Sequence, residues 1–340
     1  MDFSLLVVNG GDMLNASKVM ILTSVANRVA DKIIEHKLYG DAHPMFDSPI
    51  FELPVDDFAV TALRSGEHLQ DVYYEAVHNM LHPLIGVAAT SAAIDCLLSA
   101  SAKSTLYPNH NRMYHSTYHC IEVAEFVRAL SYEVGGTEND GDRLAVILAA
   151  LFHDYEHSLG ATSDTENVLR AQRAVDMFLP LILGLSDRPE FATDKFIELT
   201  SLRAKAAIEL TVFEGGAFKY RLPLSLHDGM WPMYSTVGYG IQLGDWVRSY
   251  GVLLAQADAS MVLAPTWGHM AFRLVYEMLA NTNSKYNPAL NQMATFKTYL
   301  DAQVGFMFNP HTISRVPEGF ADAYTTLAAR HSNVHGELIA

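Results

Sequence analysis

The sequence predicts an all-α fold organised as one main domain. Apolar residues recur at the three- and four-residue spacing of helices along most of the chain. Glycine pairs and proline-rich stretches separate these periodic segments, and the alternating pattern of half-buried strands is hard to find. Half of the 340 residues are hydrophobic, which is enough to bury a large core. Length alone allows one or two domains, and we expect one.

The first segment, residues 1–56, is predicted to be a helix followed by a proline-containing arm. Within 16–39, four apolar residues recur at four-residue steps, the pattern of an amphipathic helix. They are Ile21, Val25, Val29 and Ile33. Such a stripe could pair with a second copy of the chain as a homodimer, although packing on its own domain is the commoner use. Three X-Pro pairs then break the helical pattern and mark the arm.

The second segment, residues 57–340, is the predicted main domain and contains ten stretches with helical periodicity. These are 67–81, 87–103, 117–134, 142–158, 166–184, 194–213, 241–260, 267–281, 289–307 and 318–331. The segment lacks a GxGxxG loop, a P-loop and a GxSxG elbow. The nucleotide-binding and hydrolase schemes that depend on those motifs therefore lose support.

One predicted helix ends in residue types that bind metals. Nine apolar residues, 144–152, lead directly into the sequence HDYEH at 153–157. The spacing predicts that His153 and His157 share one helical face, with Asp154 about 100° away and able to bridge toward a second ion. The alternative is a helix end that carries two hydrogen-bonded histidines. An ionisable pair after nine apolar residues is costly to bury alone, and a divalent cation suits His and Asp together.

A second histidine pair lies upstream of this cluster. His115 and His119 stand four apart where the predicted helix 117–134 begins. Taken alone the pair is a weak signal, because one histidine could be a core residue and the other a surface residue. Together with His153 and Asp154, His119 supplies the three protein ligands that a hydrolytic zinc site needs while one coordination position stays open for water or substrate.

Two later stretches add a candidate ligand and a candidate base-binding pair. Asp258 follows an apolar helical run and is the best fourth ligand, the alternative being an ordinary hydrogen bond at a helix end. Gln303 and Phe306 stand three apart, so an amide could bond the edge of a nucleobase while the ring stacks on it. Ordinary core packing is the alternative for Phe306.

The charge balance excludes some partners. The chain has 23 Lys+Arg and 38 Asp+Glu, a net charge of −15, which argues against a nucleic-acid polymer. A small phosphate ester remains allowed, since bound cations can invert the local field. Two cysteines and no apparent signal peptide or membrane span favour a cytoplasmic protein.

Taken together, these stretches resemble the catalytic domain of the class I 3′,5′-cyclic-nucleotide phosphodiesterases, within the HD-type metallophosphohydrolase superfamily. The resemblance covers about residues 107–308. The family's YHNxxHxxDV is similar to YHSTYHCIEV at 114–123, its HDxxH to 153–157 and its AD-containing helix to 257–258, while its QVGF appears letter for letter at 303–306. The resemblance implies a compact multi-helix domain with a deep metal-containing pocket.

The resemblance also implies a reaction, the hydrolysis of cyclic AMP or cyclic GMP to the 5′-monophosphate. A hydroxide held between two divalent cations would attack the phosphate in line. The tighter metal, usually Zn²⁺, would be bound by His119, His153, Asp154 and Asp258. Asp154 would also reach a second metal, usually Mg²⁺ or Mn²⁺.

The remaining roles follow from the same resemblance. His115 would protonate the departing O3′ as general acid, and His157 would shape the surroundings of the second metal through its waters. Tyr114, Gln303 and Phe306 would bind the substrate. A side-chain amide is both donor and acceptor, so Gln303 fits adenine or guanine and the base preference stays open.

Several positions depart from the family pattern. They are Ser116, Glu122, Ser163, Arg170 and Met261. Arg170 stands where the family has a Glu that supports water around the second metal, so we expect that metal to bind weakly. Two alternatives to the phosphodiesterase therefore stay open. One is another HD-type phosphohydrolase that acts on a different nucleotide, and the other is a catalytically weakened protein that binds cyclic nucleotides.

Overall fold

The computed structural model describes residues 50, 67–106, 115–135, 140–157, 164–214, 217–218, 243 and 246–260. Its elements are α1 Glu67–Leu106, α2 Thr117–Gly135, α3 Asp140–Phe152, α4 Asp164–Leu183, α5 Asp194–Glu209, β1 Phe213–Glu214, β2 Ala217–Phe218, a π-helix Val247–Gly251 and α6 Val252–Ser260. Apart from one short hairpin, this part of the chain is all-α, as predicted. The segment 1–49, the boundary near residue 57 and the last three predicted helices lie outside the described residues.

Helix α3 lies at the centre of the described core. Residues 143–152 are all buried, and the helix packs mainly against α2 and α5. A helix that is apolar on all its faces has no side suited to water and is stable only inside a core. Its acidic first turn, with Asp140 and Asp142, suits the positive end of the helix dipole. The polar residues that follow Phe152 are therefore delivered deep into the molecule.

Helix α1 joins two helices that the sequence predicted separately, and it is kinked at Gly86. This residue has φ 82° and ψ 176°, a combination almost restricted to glycine. The kink brings the backbone against the loop after α4, where the Asp187 amide donates to the Ile85 carbonyl at 3.1 Å. A Cβ atom at Gly86 would lie 1.9 Å from Asp187 Oδ2, so both the bend and the close approach require glycine.

Part of α1, residues 71–99, is long and apolar enough to cross a membrane by length and composition. Half of its most apolar 18-residue stretch is buried inside the structure, and α1 packs against α2 and α4. The core helix of a soluble protein meets the same two criteria, so this feature is weak support for a membrane span.

Helices α4 and α5 pack against each other and complete the described core. The Thr193 hydroxyl caps α5 by accepting from the Phe196 amide at 3.3 Å. α5 ends at Glu209, four residues before the predicted end, where the Thr211 hydroxyl donates to the Ile208 carbonyl at 2.8 Å. The antiparallel pair β1–β2 then begins at Phe213.

The helix predicted over 241–260 is interrupted by the π-helix. The Val252 amide reaches back to the Val247 carbonyl, five residues earlier, so the turn contains one residue more than an α-turn. α6 then runs against α2 with most of its residues buried. This packing carries Asp258 from a distant part of the sequence to the side of His119.

Candidate metal centre

Four candidate ligands converge from three places in the fold. His119 lies in the first turn of α2, His153 and Asp154 directly follow α3, and Asp258 lies near the end of α6. Asp258 Oδ1 is 3.2 Å from His119 Nε2 and 3.9 Å from His153 Nε2. Asp154 Oδ2 is 3.4 Å and 3.3 Å from the same two nitrogens. Two imidazoles therefore face two carboxylates across a space of a few ångströms.

Three of these residues form a group that could hold a metal ion. Single ligand atoms of His119, His153 and Asp258 all lie within 4.8 Å of one another. The two histidine side chains are almost completely buried, and the Asp154 and Asp258 side chains are 13% and 14% exposed. The site is thus largely shielded from water, and its two carboxylates keep a small exposed area.

The orientation of His153 favours a cation. Its Nδ1 lies 2.7 Å from the Ala150 carbonyl, and because a carbonyl can only accept, Nδ1 carries the proton. Nε2 is buried and faces the two carboxylates, 3.3 Å from Asp154 Oδ2 and 3.9 Å from Asp258 Oδ1. A backbone bond that fixes one ring nitrogen and leaves the other for a metal is the usual arrangement of a ligating histidine.

The electrostatics of the cluster agree with a site that binds a cation. Burial alone would lower the pKa of His153, but the Asp154 carboxylate, then the neighbouring Cys120 and Asp258, raise it well above its ordinary value. Burial alone would raise the pKa of Asp154, but His153 and the other nearby histidines hold it well below its usual range. Without metal, a proton on His153 offsets the carboxylates, and a divalent cation can take its place.

The turn after α3 corrects one sequence prediction. The helix ends at Phe152 instead of continuing to residue 158, and residues 153–156 form a turn. Glu156 has φ 53°, in the left-handed region, so His153 and His157 do not share a helical face as predicted. Asp154 also points at the same two imidazoles as Asp258 does, whereas a helix would have rotated it about 100° from His153.

His115 and His157 lie together beside the metal group. Their rings stack with centroids 3.8 Å apart and planes 3° from parallel. The His115 ring also meets the His119 ring edge-on at 6.4 Å. His115, the predicted proton donor, is therefore next to the candidate ligands without being part of the three-residue group. The structure brings together His115, His119, His153, Asp154, His157 and Asp258.

Two contacts near the site were missed by the sequence reasoning. The Tyr73 hydroxyl of α1 donates to Glu122 Oε1 at 2.5 Å, and Glu122 is completely buried one turn after His119. Asn167 of α4 contacts His157. Glu122 carried a usable signal, since a buried carboxylate needs a partner. Tyr73 and Asn167 carried none, because both contacts depend on tertiary packing.

The remaining predicted site residues belong to other parts of the sequence. Tyr114, Ser163, Met261, Gln303 and Phe306 lie outside the described residues. The substrate-binding predictions for Tyr114, Gln303 and Phe306 therefore stay predictions from the sequence.

Comparison with known proteins assigns no family. A scan of the sequence against protein-family models gives no match. A search among curated proteins gives no significant match either.

Proposed function

We propose that the chain is a metal-dependent hydrolase that converts 3′,5′-cyclic purine nucleotides to 5′-nucleoside monophosphates, of the class I phosphodiesterase type. The observation that carries the proposal is the convergence of two imidazoles and two carboxylates beside the stacked pair His115–His157. That arrangement combines a cation-binding group with a separate imidazole that can donate a proton, the two needs of phosphodiester hydrolysis.

The proposed cations are Zn²⁺ at the tighter position and Mg²⁺ or Mn²⁺ at the weaker one. His119, His153, Asp154 and Asp258 would hold the zinc, because imidazole with carboxylate suits that ion. Asp154 would also serve the second cation, with His157 near it. When bound, the cations would activate water and offset negative charge on the phosphoryl oxygens.

His115 is the proposed general acid. Its ring stands beside His119 but outside the three-residue ligand group, so a metal need not displace the proton that it donates. Stacking on His157 limits the rotation of the His115 ring. From that position the imidazole would protonate O3′ as the P–O3′ bond breaks.

Recognition of the purine rests on the sequence alone. Gln303 and Phe306 would hold the base by an amide hydrogen bond and ring stacking, and Tyr114 would line the same pocket. The acidic net charge is compatible with this substrate, since bound cations would supply the local positive field.

One observation favours a second candidate, a catalytically weakened protein that binds cyclic nucleotides. Arg170 stands where the resemblance expects a Glu that supports the second metal. An arginine has no carboxylate to offer that metal, and in the structure its guanidinium pairs with Glu166. A weak second metal would leave binding intact and turnover low.

The test is hydrolysis of cyclic AMP and cyclic GMP by metal-stripped protein resupplied with Zn²⁺, Mg²⁺ and Mn²⁺, singly and in pairs. Metal-dependent release of 5′-monophosphate would support the hydrolase and would give the base preference. Binding of either nucleotide without turnover, at full zinc occupancy, would favour the weakened binder. Neither binding nor turnover would refute both.

A further inference from the structure

Two polar side chains of α4 contact the turn that follows α3. Asn167 is buried, and its Nδ2 lies 3.0 Å from His157 Nε2. Arg170 Nη1 donates to the Glu156 carbonyl at 3.3 Å. Asn167 and Arg170 stand three apart and therefore share one helical face. A single face of α4 thus holds two successive residues of the 153–157 turn.

The turn needs such support because of its backbone. Glu156 has φ 53°, a backbone conformation that residues other than glycine, asparagine and aspartate rarely adopt. Residues of this kind persist only when the surrounding structure holds them. Two backbone bonds of the turn, from Tyr155 to Phe152 and from His157 to Asp154, supply part of that support. The guanidinium of Arg170 adds a charge-assisted bond at the strained residue itself.

The contact with Asn167 fixes the ring of His157. The amide nitrogen can only donate, so His157 Nε2 accepts and the ring proton resides on Nδ1. His157 in turn stacks on His115 at 3.8 Å. A sequence of direct contacts therefore runs from Asn167 through His157 to the proposed proton donor.

We infer that Asn167 and Arg170 are positioning residues that hold the 153–157 turn and, through His157, set the position of His115 beside the metal group. The catalytic part of this inference rests on the proposed function, whereas the effect on the turn does not. Arg170, a departure from the family pattern, then has its own use: a carboxylate at this position could not donate to the Glu156 carbonyl.

The first test uses metal-free protein and needs no activity. In Arg170→Met, the amides of Tyr155 and His157 should exchange with solvent roughly 10- to 100-fold faster, as expected for the loss of a hydrogen bond from a charged group. Leu148, in the middle of α3, should keep its protection and so report an intact core. Arg173→Met is the matched control, because Arg173 is exposed three residues further along the same helix.

The second test reads the His157 ring directly by nitrogen NMR at pH 8. Wild-type protein should show an unprotonated Nε2 and a protonated Nδ1. Asn167→Asp keeps the shape of the side chain but replaces the donor by an acceptor, so the proton should move to Nε2. Asn167→Leu removes the bond altogether and should give a mixture of the two forms. A residue that serves only for packing would leave the ring signals of Asn167→Asp as in wild type.

Turnover separates this inference from the proposed function. If the wild type cleaves cyclic nucleotides, Asn167→Asp and Arg170→Met should lower kcat roughly 10- to 100-fold with KM little changed. A wild type that cleaves nothing, but shows the expected exchange rates and ring signals, would refute the function and support the positioning role. Wild-type exchange in Arg170→Met together with unmoved ring signals in Asn167→Asp would overturn the inference.

Discussion

Replacing Asp258 tests the candidate metal centre most directly, because this residue reaches the site from the most distant part of the sequence. Its Oδ1 lies 3.2 Å and 3.9 Å from the two imidazole nitrogens, and its side chain is 14% exposed. Asp258→Asn keeps the volume and removes the charge, whereas Asp258→Ala also removes the oxygen. The polar atoms of the other three ligands stay in place in both variants.

The expected loss follows from the number of ligands. Structural zinc sites with four ligands bind with about 10–16 kcal/mol, so one ligand accounts for about 2.5–4 kcal/mol. Since about 1.4 kcal/mol is a tenfold change in affinity, Asp258→Ala should weaken zinc binding roughly 100- to 1,000-fold. Asp258→Asn should lower the zinc affinity by nearly the same factor, because a neutral amide is a poor zinc ligand.

The assay is a competition titration against a chromophoric zinc chelator, supported by the metal content after dialysis. Asp176→Asn serves as the matched control, because Asp176 is an exposed carboxylate on α4 that pairs with Lys205 at 2.7 Å. Thermal unfolding of the metal-free variants checks that the fold is retained. Full zinc retention with wild-type affinity in Asp258→Ala would exclude Asp258 as a ligand and would refute the argument built on the four-residue cluster.

Four further predictions rest on the same structure. His115→Ala should lower turnover by roughly 10²–10⁴ with metal content near normal, and unchanged turnover would remove its role as general acid. Zinc binding should release protons and should weaken as the pH falls, because the cation displaces the proton held by His153, whose pKa is raised. Calorimetry in buffers of different ionisation enthalpy measures the number of protons released. In metal-free protein, the stabilising His153–Asp154 pair should be lost as the pH rises through the raised pKa of His153, or falls through the lowered pKa of Asp154. Gly86→Ala should lower the free energy of unfolding, measured by urea titration, by at least about 2 kcal/mol, because the alanine Cβ would meet Asp187 and φ 82° disfavours any side chain. A loss below about 0.5 kcal/mol would contradict this account of the kink.

The helices and the four candidate ligands could be anticipated because both depend on local pattern. The nine apolar residues before His153 indicated a buried helix, and α3 is buried along the same stretch. His119 lies at the start of one apolar helix and Asp258 near the end of another, and burial of those helices brings their polar residues together. Residue type and apolar context were sufficient for this inference, without any knowledge of how the helices cross.

The geometry of the turn could not be anticipated in the same way. The helical periodicity predicted a helix that runs to residue 158, because the sequence HDYEH contains no residue that typically ends a helix. The chain instead turns at Phe152, and contacts from α4 help to hold Glu156 in a conformation that local propensity disfavours. The bond between Asn167 and His157 was hidden for the same reason. It joins residues ten apart in the sequence, and it depends on the shape of the 153–157 turn, which the sequence did not reveal.

The π-helix before α6 bears on how much sequence length can vary around Asp258. Inserting one residue into a regular α-helix rotates everything downstream by about 100°, which would turn the carboxylate away from its partners. A π-turn accommodates one extra residue within a single wide turn. The helical residues before and after it therefore keep the orientation that they would have without the extra residue. Trp246, whose ring nitrogen donates to the Asp142 carbonyl at 3.4 Å, therefore stays anchored on α3 while Asp258 stays at the metal group. Deleting one residue from this wide turn would give a regular α-turn and leave both anchors, and therefore the aspartate, in place.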